Sequence, residues 1–147
     1  MLIMLRRSVP SDIGDMLGIE KRCFPSPWSM PSLMYHILHP KALSVTAVIR
    51  GQISGYVMAH DEGEDLHVTN LAVDPEFQRM GAADFMMKSV ISLSEKEGFH
   101  RIILEVRESN RAALSLYRGL GFIVYGRSEG YYDDTGEAAL LMERRNV

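Results

Sequence analysis

The sequence predicts an α/β fold: a mixed, mostly antiparallel central sheet of about seven strands with helices on both faces. Three observations carry the prediction. Apolar residues fall at helical spacing over 13–23 and 29–38, then give way to β-branched runs at Leu43–Arg50 and Ile53–His60. From Leu66 onward strand and helix patterns alternate, and the helix between Leu66–Val73 and Arg101–Val106 demands a parallel, right-handed crossover. No linker, repeat or low-complexity tract interrupts the 147 residues, so 1–147 reads as one domain.

Each element has its own signal. Leu2–Arg7 is a short strand, and Pro10-Ser11-Asp12 starts a helix in which Ile13, Met16, Leu17 and Ile19–Glu20 keep helical spacing up to Cys23. Phe24-Pro25-Ser26-Pro27-Trp28 is a turn, because two prolines remove two amide donors and fix two φ angles. Ser29 caps a second helix with Leu33, Met34, Ile37 and Leu38 on one face. Gly51-Gln52 joins the next two strands as a hairpin, and acidic Asp61–Asp65 turns the chain into Leu66–Val73. A helix over 81–97 has Met86, Val90 and Leu93 on one face and stops at Gly98. Arg101–Val106 is a strand, and Ser109 caps a helix that runs to Leu120. Phe122–Arg127 and Ala138–Glu143 are the last strands, separated by a turn at Gly136.

Charge and composition exclude several classes. Sixteen Lys+Arg against nineteen Asp+Glu give a net charge of -3, which lacks the basic footprint of a dedicated nucleic-acid binder. An apolar fraction of 46% with 24% charged residues excludes a disordered chain. The single cysteine, Cys23, excludes an internal disulfide and a multi-cysteine metal site, so no metal is expected and a reducing cytoplasmic location is. The apolar runs Met1–Leu5 and Ala138–Met142 are far shorter than the ~20 residues that span a bilayer, so no membrane partner is expected.

Two stretches carry chemistry. In Asn70–Ala83 a strand runs through Asp74-Pro75 into a helix whose first turn is Gly81, Ala82 and Ala83. Small residues there let backbone N–H groups close around an anion, the helix dipole adds roughly half a positive charge, and Arg79 supplies a full one. This fits a pyrophosphate, although neither a Walker P-loop nor a Gly-x-Gly-x-x-Gly pattern is present. A tight helix start with an exposed arginine is the plain alternative. In Leu104–Tyr117, alternation sets Ile102, Leu104 and Val106 on one face and Ile103, Glu105 and Arg107 on the other. A carboxylate is costly to bury alone, so Glu105 either pairs, with Arg107 the nearest cation, or faces a wet cleft. The same alternation sets His67 on a face with Thr69, Leu71 and Val73.

Taken together, Gln-Arg-x-Gly-x-Ala at Gln78–Ala83, Leu-Glu-Val-Arg-x-Ser-Asn-x-x-Ala-x-x-Leu-Tyr at Leu104–Tyr117, and Leu120-Gly121-Phe122 resemble the GCN5-related N-acetyltransferase (GNAT) superfamily. Phe24-Pro25-Ser26-Pro27-Trp28-Ser29 and Tyr131-Tyr132 before an acidic Gly turn are similar to its RimI-like branch, the ribosomal-protein-alanine acetyltransferases, and to archaeal N-terminal acetyltransferases. The likeness is dense from about His67 to Met142. It implies acetyl-CoA held between two parallel strands that splay apart, with coenzyme A as product. Backbone groups of Leu71, Ala72 and Val73 would pair with the pantetheine arm. Arg79, Met80, Gly81, Ala82, Ala83 and Asp84 would hold the pyrophosphate, and Asn110 and Tyr117 would line the other side. The same resemblance implies Glu105 as general base, Tyr117 as general acid and His67 as a second catalytic residue. It also implies a peptide groove walled by Phe24, Pro25, Trp28, Tyr131 and Tyr132.

The function implied is acetyl transfer to the α-amino group of a protein or peptide, a ribosomal protein being one candidate acceptor. Uncharged Ser26 stands where some relatives carry a substrate-selecting acid, so acceptor choice by size and polarity is expected. Two other readings remain open here: acetylation of a small amine such as a polyamine or aminoglycoside, and a non-catalytic acyl-CoA-binding module. The oligomeric state has no signal in the sequence.

Overall fold

A computed structural model describes residues 2–146; Met1, at the head of the run Met1–Leu5, and Val147 lie outside the described residues. The chain forms β1 (Ile3–Arg7), α1 (Ile13–Cys23), α2 (Met30–Leu38), β2 (Ala42–Ile49), β3 (Gln52–Asp61) and β4 (Asp65–Val73). It continues with α3 (Ala82–Lys96), β5 (Arg101–Arg107), α4 (Arg111–Gly119), β6 (Ile123–Ser128) and β7 (Ala139–Arg145). These seven strands make one sheet in the order β1-β2-β3-β4-β5-β7-β6. Every neighbouring pair is antiparallel except β4 and β5, as the crossover through α3 requires.

Alternation along the strands sorts the core into two layers. Tyr56, Met58 and Ala72 point to one face, where Met16 and Ile19 of α1 and Leu33 and Ile37 of α2 cover them. Val57, Ala59, Ile102, Leu104 and Val106 point to the other, under Met86, Met87 and Val90 of α3 and Leu114 of α4. Each of these large side chains contributes roughly 1.5–3 kcal/mol by leaving water. Among the described residues no helix is long and apolar enough to cross a membrane.

Two features of β4 position the site. Its parallel pairing with β5 covers only Asp65–His67 against Arg101–Ile103. Beyond that point the two strands part. On its other edge β4 carries a bulge: Ala59 faces Val68 and Met58 faces Asn70, which leaves Thr69 unmatched. The extra residue reverses the phase of the strand. His67 lies on the α1/α2 face, whereas Leu71 and Val73 pack into the α3/α4 layer. The expectation that His67 shares a face with Leu71 and Val73 is thereby corrected. Behind the bulge, a Cβ at Gly55 would stand 2.6 Å from the Ala72 carbonyl oxygen, so only glycine lets β3 and β4 approach this closely.

Two smaller expectations also change. Pro10–Asp12 forms a 3-10 turn ahead of α1 rather than its first α-helical turn. Asn110, not Ser109, caps α4: its Oδ1 accepts from the Ala113 N–H at 3.1 Å, while the Ser109 N–H donates to Glu137 at 2.7 Å.

Candidate active site

The gap between β4 and β5 is lined by β4 backbone that has no strand partner across it. The Asp74 N–H donates to Ser54 across the β3 edge, so alternation turns Ala72 toward β3 and leaves the N–H and C=O of Leu71 and Val73 facing the gap. Among the described residues the Val73 carbonyl accepts side-chain donors there, Cys23 Sγ at 3.2 Å and Gln78 Nε2 at 3.0 Å. Burial foremost pushes the Cys23 thiol up, so it stays protonated as a donor.

At the end of β4 the chain reaches α3 through Arg79 and Gly81, both in the left-handed region at φ 65° and 87°. No side chain caps α3, and a Cβ built on Gly81 meets no atom within 4 Å. The first-turn N–H groups of Ala82, Ala83 and Asp84 therefore face an open approach at the positive end of the dipole. Asp84 itself pairs with Lys88 at 2.9 Å, which neutralises the acid in this first turn. An extended amide-bearing arm ending in a pyrophosphate fits both parts: free strand amides first, then an uncapped helix end.

On the α1/α2 face, beside the parting of the strands, Glu105 and His67 meet. His67 Nε2 lies 2.8 and 3.0 Å from the two Glu105 carboxylate oxygens, and Nδ1 lies 2.7 Å from Glu62. The bond to Glu105, reinforced by Glu62, outweighs desolvation and raises the imidazole to about 9. Both ring nitrogens then carry protons at neutral pH. Of the alternatives open for Glu105, the pair with Arg107 is not formed; the partners of Glu105 among the described residues are His67 and the Tyr131 hydroxyl, 3.4 Å away. Tyr117 stands apart from this cluster, in the α3/α4 layer against Phe122, with ring centroids 5.7 Å apart. Burial pushes its phenol well above the ordinary range, which keeps it protonated.

The sign of the His67 shift fixes a pH dependence. A folded pKa above the unfolded one gives stability that is complete below about pH 6.5 and lost as pH rises through about 9. The melting-temperature gap between wild type and His67→Gln is expected to be widest near pH 6 and to narrow toward pH 10 (both about). A constant gap across that range would mean that His67 titrates alike in the folded and unfolded chain, and a gap that widens with pH would mean that the fold holds it neutral.

Beside this cluster, the segment 24–29 after α1 meets the segment 129–137 before β7. Tyr131 and Tyr132 pack edge to face at 4.9 Å, and Ser26 Oγ donates to Asp134 at 3.3 Å. Ser26 thus brings no charge of its own but holds a carboxylate, which the sequence reading did not include. Glu20 is the larger omission. It is fully buried and accepts from the Trp28 N–H at 2.8 Å, from Asn70 Nδ2 at 2.7 Å and from the Tyr56 hydroxyl. It therefore joins the 24–29 turn to the β4 bulge. The available signal was its place on the apolar stripe of α1, four residues after Met16. Glu20→Ala is expected to destabilise the fold by about 3 kcal/mol or more in denaturant titration, because three donors lose their acceptor. A loss under about 1 kcal/mol would mean that water replaces the carboxylate without cost.

Comparison with known proteins agrees with this geometry. Residues 13–122 match the family described as Acetyltransferase (GNAT) family. The chain is 33% identical over 132 residues to a Bacillus subtilis protein provisionally named ribosomal protein bS18-alanine N-acetyltransferase, covering 89% of this chain and 87% of that one. It is 34% identical over 153 residues to the N-terminal acetyltransferase A complex catalytic subunit NAA10 of Arabidopsis thaliana, covering 99% and 79%. The crystal structure of the ribosomal-protein-S18-alanine N-acetyltransferase from Escherichia coli has a TM-score of 0.91 at 27% identity, covering 98% and 94%. With strands splayed and an open helix end beside them, the chain belongs to the GNAT family of acetyltransferases. It is an acetyl-CoA-dependent N-acetyltransferase.

Proposed function

We propose that the protein acetylates the α-amino group at the N-terminus of a protein or peptide, releasing coenzyme A. The observation that carries this reading is the Glu105 carboxylate at the parting of β4 and β5, bonded to His67 and faced by Tyr131. Acetyl-CoA supplies the acetyl group as a thioester. Leu71 and Val73 bind its arm through the backbone, with Ala72 holding them in register on β3. Arg79, Met80, Gly81, Ala82, Ala83 and Asp84 receive the pyrophosphate. Asn110 offers its side-chain amide N–H from α4, since its oxygen is used in the cap.

Glu105 takes the proton from the attacking amine through a water molecule. His67, protonated between two carboxylates, orients Glu105 instead of acting as a base itself. A gap-facing amide of Val73 stabilises the charge that develops on the carbonyl oxygen. The Tyr117 hydroxyl donates to the departing thiolate. Phe24, Pro25 and Trp28 on one side and Tyr131 and Tyr132 on the other hold the acceptor.

An α-amine, with an ordinary pKa of about 7.7–8.0, is substantially neutral near pH 7, whereas a lysine amine near 10.4 is almost wholly charged. A base acting through water has less to do with the first. The small-amine reading would need uncompensated carboxylates in the groove. Instead Glu62 and Glu105 share His67, and Asp134 and Glu137 share Arg107. The names of the Bacillus and Escherichia coli relatives support a ribosomal protein as the acceptor, and a cytoplasmic reaction goes with that reading.

The test is competition between a peptide with a free N-terminus and the same peptide blocked there but carrying lysine. The free N-terminus is expected to be acetylated at least about tenfold faster, read by mass. Equal rates, or faster modification of spermidine, would move the protein into a different acceptor class.

A further inference from the structure

Arg107 lies two residues beyond Glu105 on β5, on the same face of the sheet, and is half-buried. Its contacts all fall elsewhere. Nη2 donates to Asp134 at 2.7 Å, Nη1 donates to Thr135 Oγ1 at 3.3 Å and lies 3.6 Å from Glu137, and the guanidinium carbon sits 4.0 Å from the centroid of the Tyr132 ring. All four partners belong to the segment 129–137. That segment is no helix or strand: its internal bonds are Tyr132 N–H to the Glu137 carbonyl, Gly136 N–H to the Tyr132 carbonyl and Glu137 N–H to Thr135 Oγ1. Asp134, held by Arg107, in turn accepts from Ser26 on the opposite wall.

We infer that Arg107 is the positioning residue of the acceptor site, folding 129–137 over β5 so that Tyr131 and Tyr132 stand against Glu105 and, through Asp134, fixing the separation of the two walls. The inference rests on the acceptor reading above and adds to it the residue that shapes the groove. The strand that presents the base thus also sets the wall that presents the amine to it.

The chemistry suits arginine and not lysine. A planar fork bonds one carboxylate and a hydroxyl while its face stacks on the tyrosine, and a point-like ammonium cannot do both. Without the guanidinium, Asp134 and Glu137 would stand in one short segment without the cation they share, and their mutual repulsion would loosen it. Both carboxyls are held below their usual range by hydrogen bonds, Asp134 chiefly to Arg107 and Glu137 chiefly to Ser109.

The test uses Arg107→Lys and Asp134→Asn in the full chain, with a free-N-terminus peptide as acceptor. Steady-state kinetics give kcat and the acceptor KM, and calorimetry gives the acetyl-CoA dissociation constant. Arg107→Lys is expected to raise the acceptor KM about tenfold or more, with kcat within about threefold and the acetyl-CoA Kd unchanged. Asp134→Asn, on the surface segment, is expected to raise the acceptor KM about threefold, because its carbonyl still accepts from one wall. If Arg107→Lys does not fold, Asp134→Asn alone decides. An unchanged acceptor KM in the folded variants overturns the inference, as does a parallel loss of acetyl-CoA affinity, which would mark damage to β5 as a whole. Preference of the wild type for spermidine would overturn the α-amine reading alone, since the effect of Arg107 would then be read on the spermidine KM.

Discussion

Glu105→Gln is expected to lower kcat by about 10²–10⁴-fold while the acetyl-CoA dissociation constant stays unchanged. The carboxylate sits where the parallel strands part, next to the gap proposed for the thioester, and it is a side chain and not one of the backbone groups proposed to hold the arm. Glutamine keeps the shape and one acceptor oxygen for His67, so the loss isolates basicity from packing. A second readout is independent of turnover. The imidazole is raised to about 9 chiefly by its bond to Glu105, so Glu105→Gln should draw it back toward its ordinary value, with Glu62 retaining part of the shift. Proton NMR of the ring across the pH range measures this directly. A folded Glu105→Gln enzyme with wild-type kcat would sink the assignment of the base, whatever the imidazole did.

The fold was legible because its signals are local. Helical spacing in α1, α2 and α3, the Gly51 hairpin and the change from antiparallel runs to β-α-β follow from residues within one window of the chain. The open end of α3 was legible for the same reason, since Arg79, Gly81 and Ala82 are neighbours in sequence. The rest depended on contacts between distant segments. Thr69 is an ordinary strand residue, and nothing beside it announces a bulge; the bulge arises from register with β3, and it places His67 opposite to simple alternation. Glu105 and Arg107 are adjacent on one face, yet each bonds a partner far along the chain, His67 or Asp134, because those bonds are geometrically better than an ion pair along one strand. Glu20 is one acid in a helix with acids and bases on either side, and its burial becomes visible only when Trp28, Tyr56 and Asn70 converge on it. Sequence patterns reported which segments matter; the pairing of charges across them required three dimensions.

The Gly81→Asp variant is expected to lose acetyl-CoA binding, read as the loss of ligand-induced thermal stabilisation. In the wild type, ligand at 100 times its dissociation constant adds about 2.7 kcal/mol, which corresponds to a rise of roughly 5–10 °C for a chain of this size. Gly81 is where that gain is most exposed to a single substitution. Its φ of 87° is one that L side chains rarely adopt, and the space beyond its missing Cβ is empty of protein atoms. Aspartate would put a carboxylate into that space, ahead of the N–H groups of Ala82, Ala83 and Asp84. There it would satisfy the helix end as a cap and repel a pyrophosphate in the same place. The free protein could gain from such a cap what it loses by backbone strain, so its own melting temperature is expected to move little. Gly81→Asn separates the two effects: asparagine tolerates the left-handed backbone and can cap α3, but carries no charge. It should bind acetyl-CoA more weakly than the wild type and more tightly than Gly81→Asp. Equal ligand-induced shifts in the wild type and Gly81→Asp would mean that the pyrophosphate is held elsewhere.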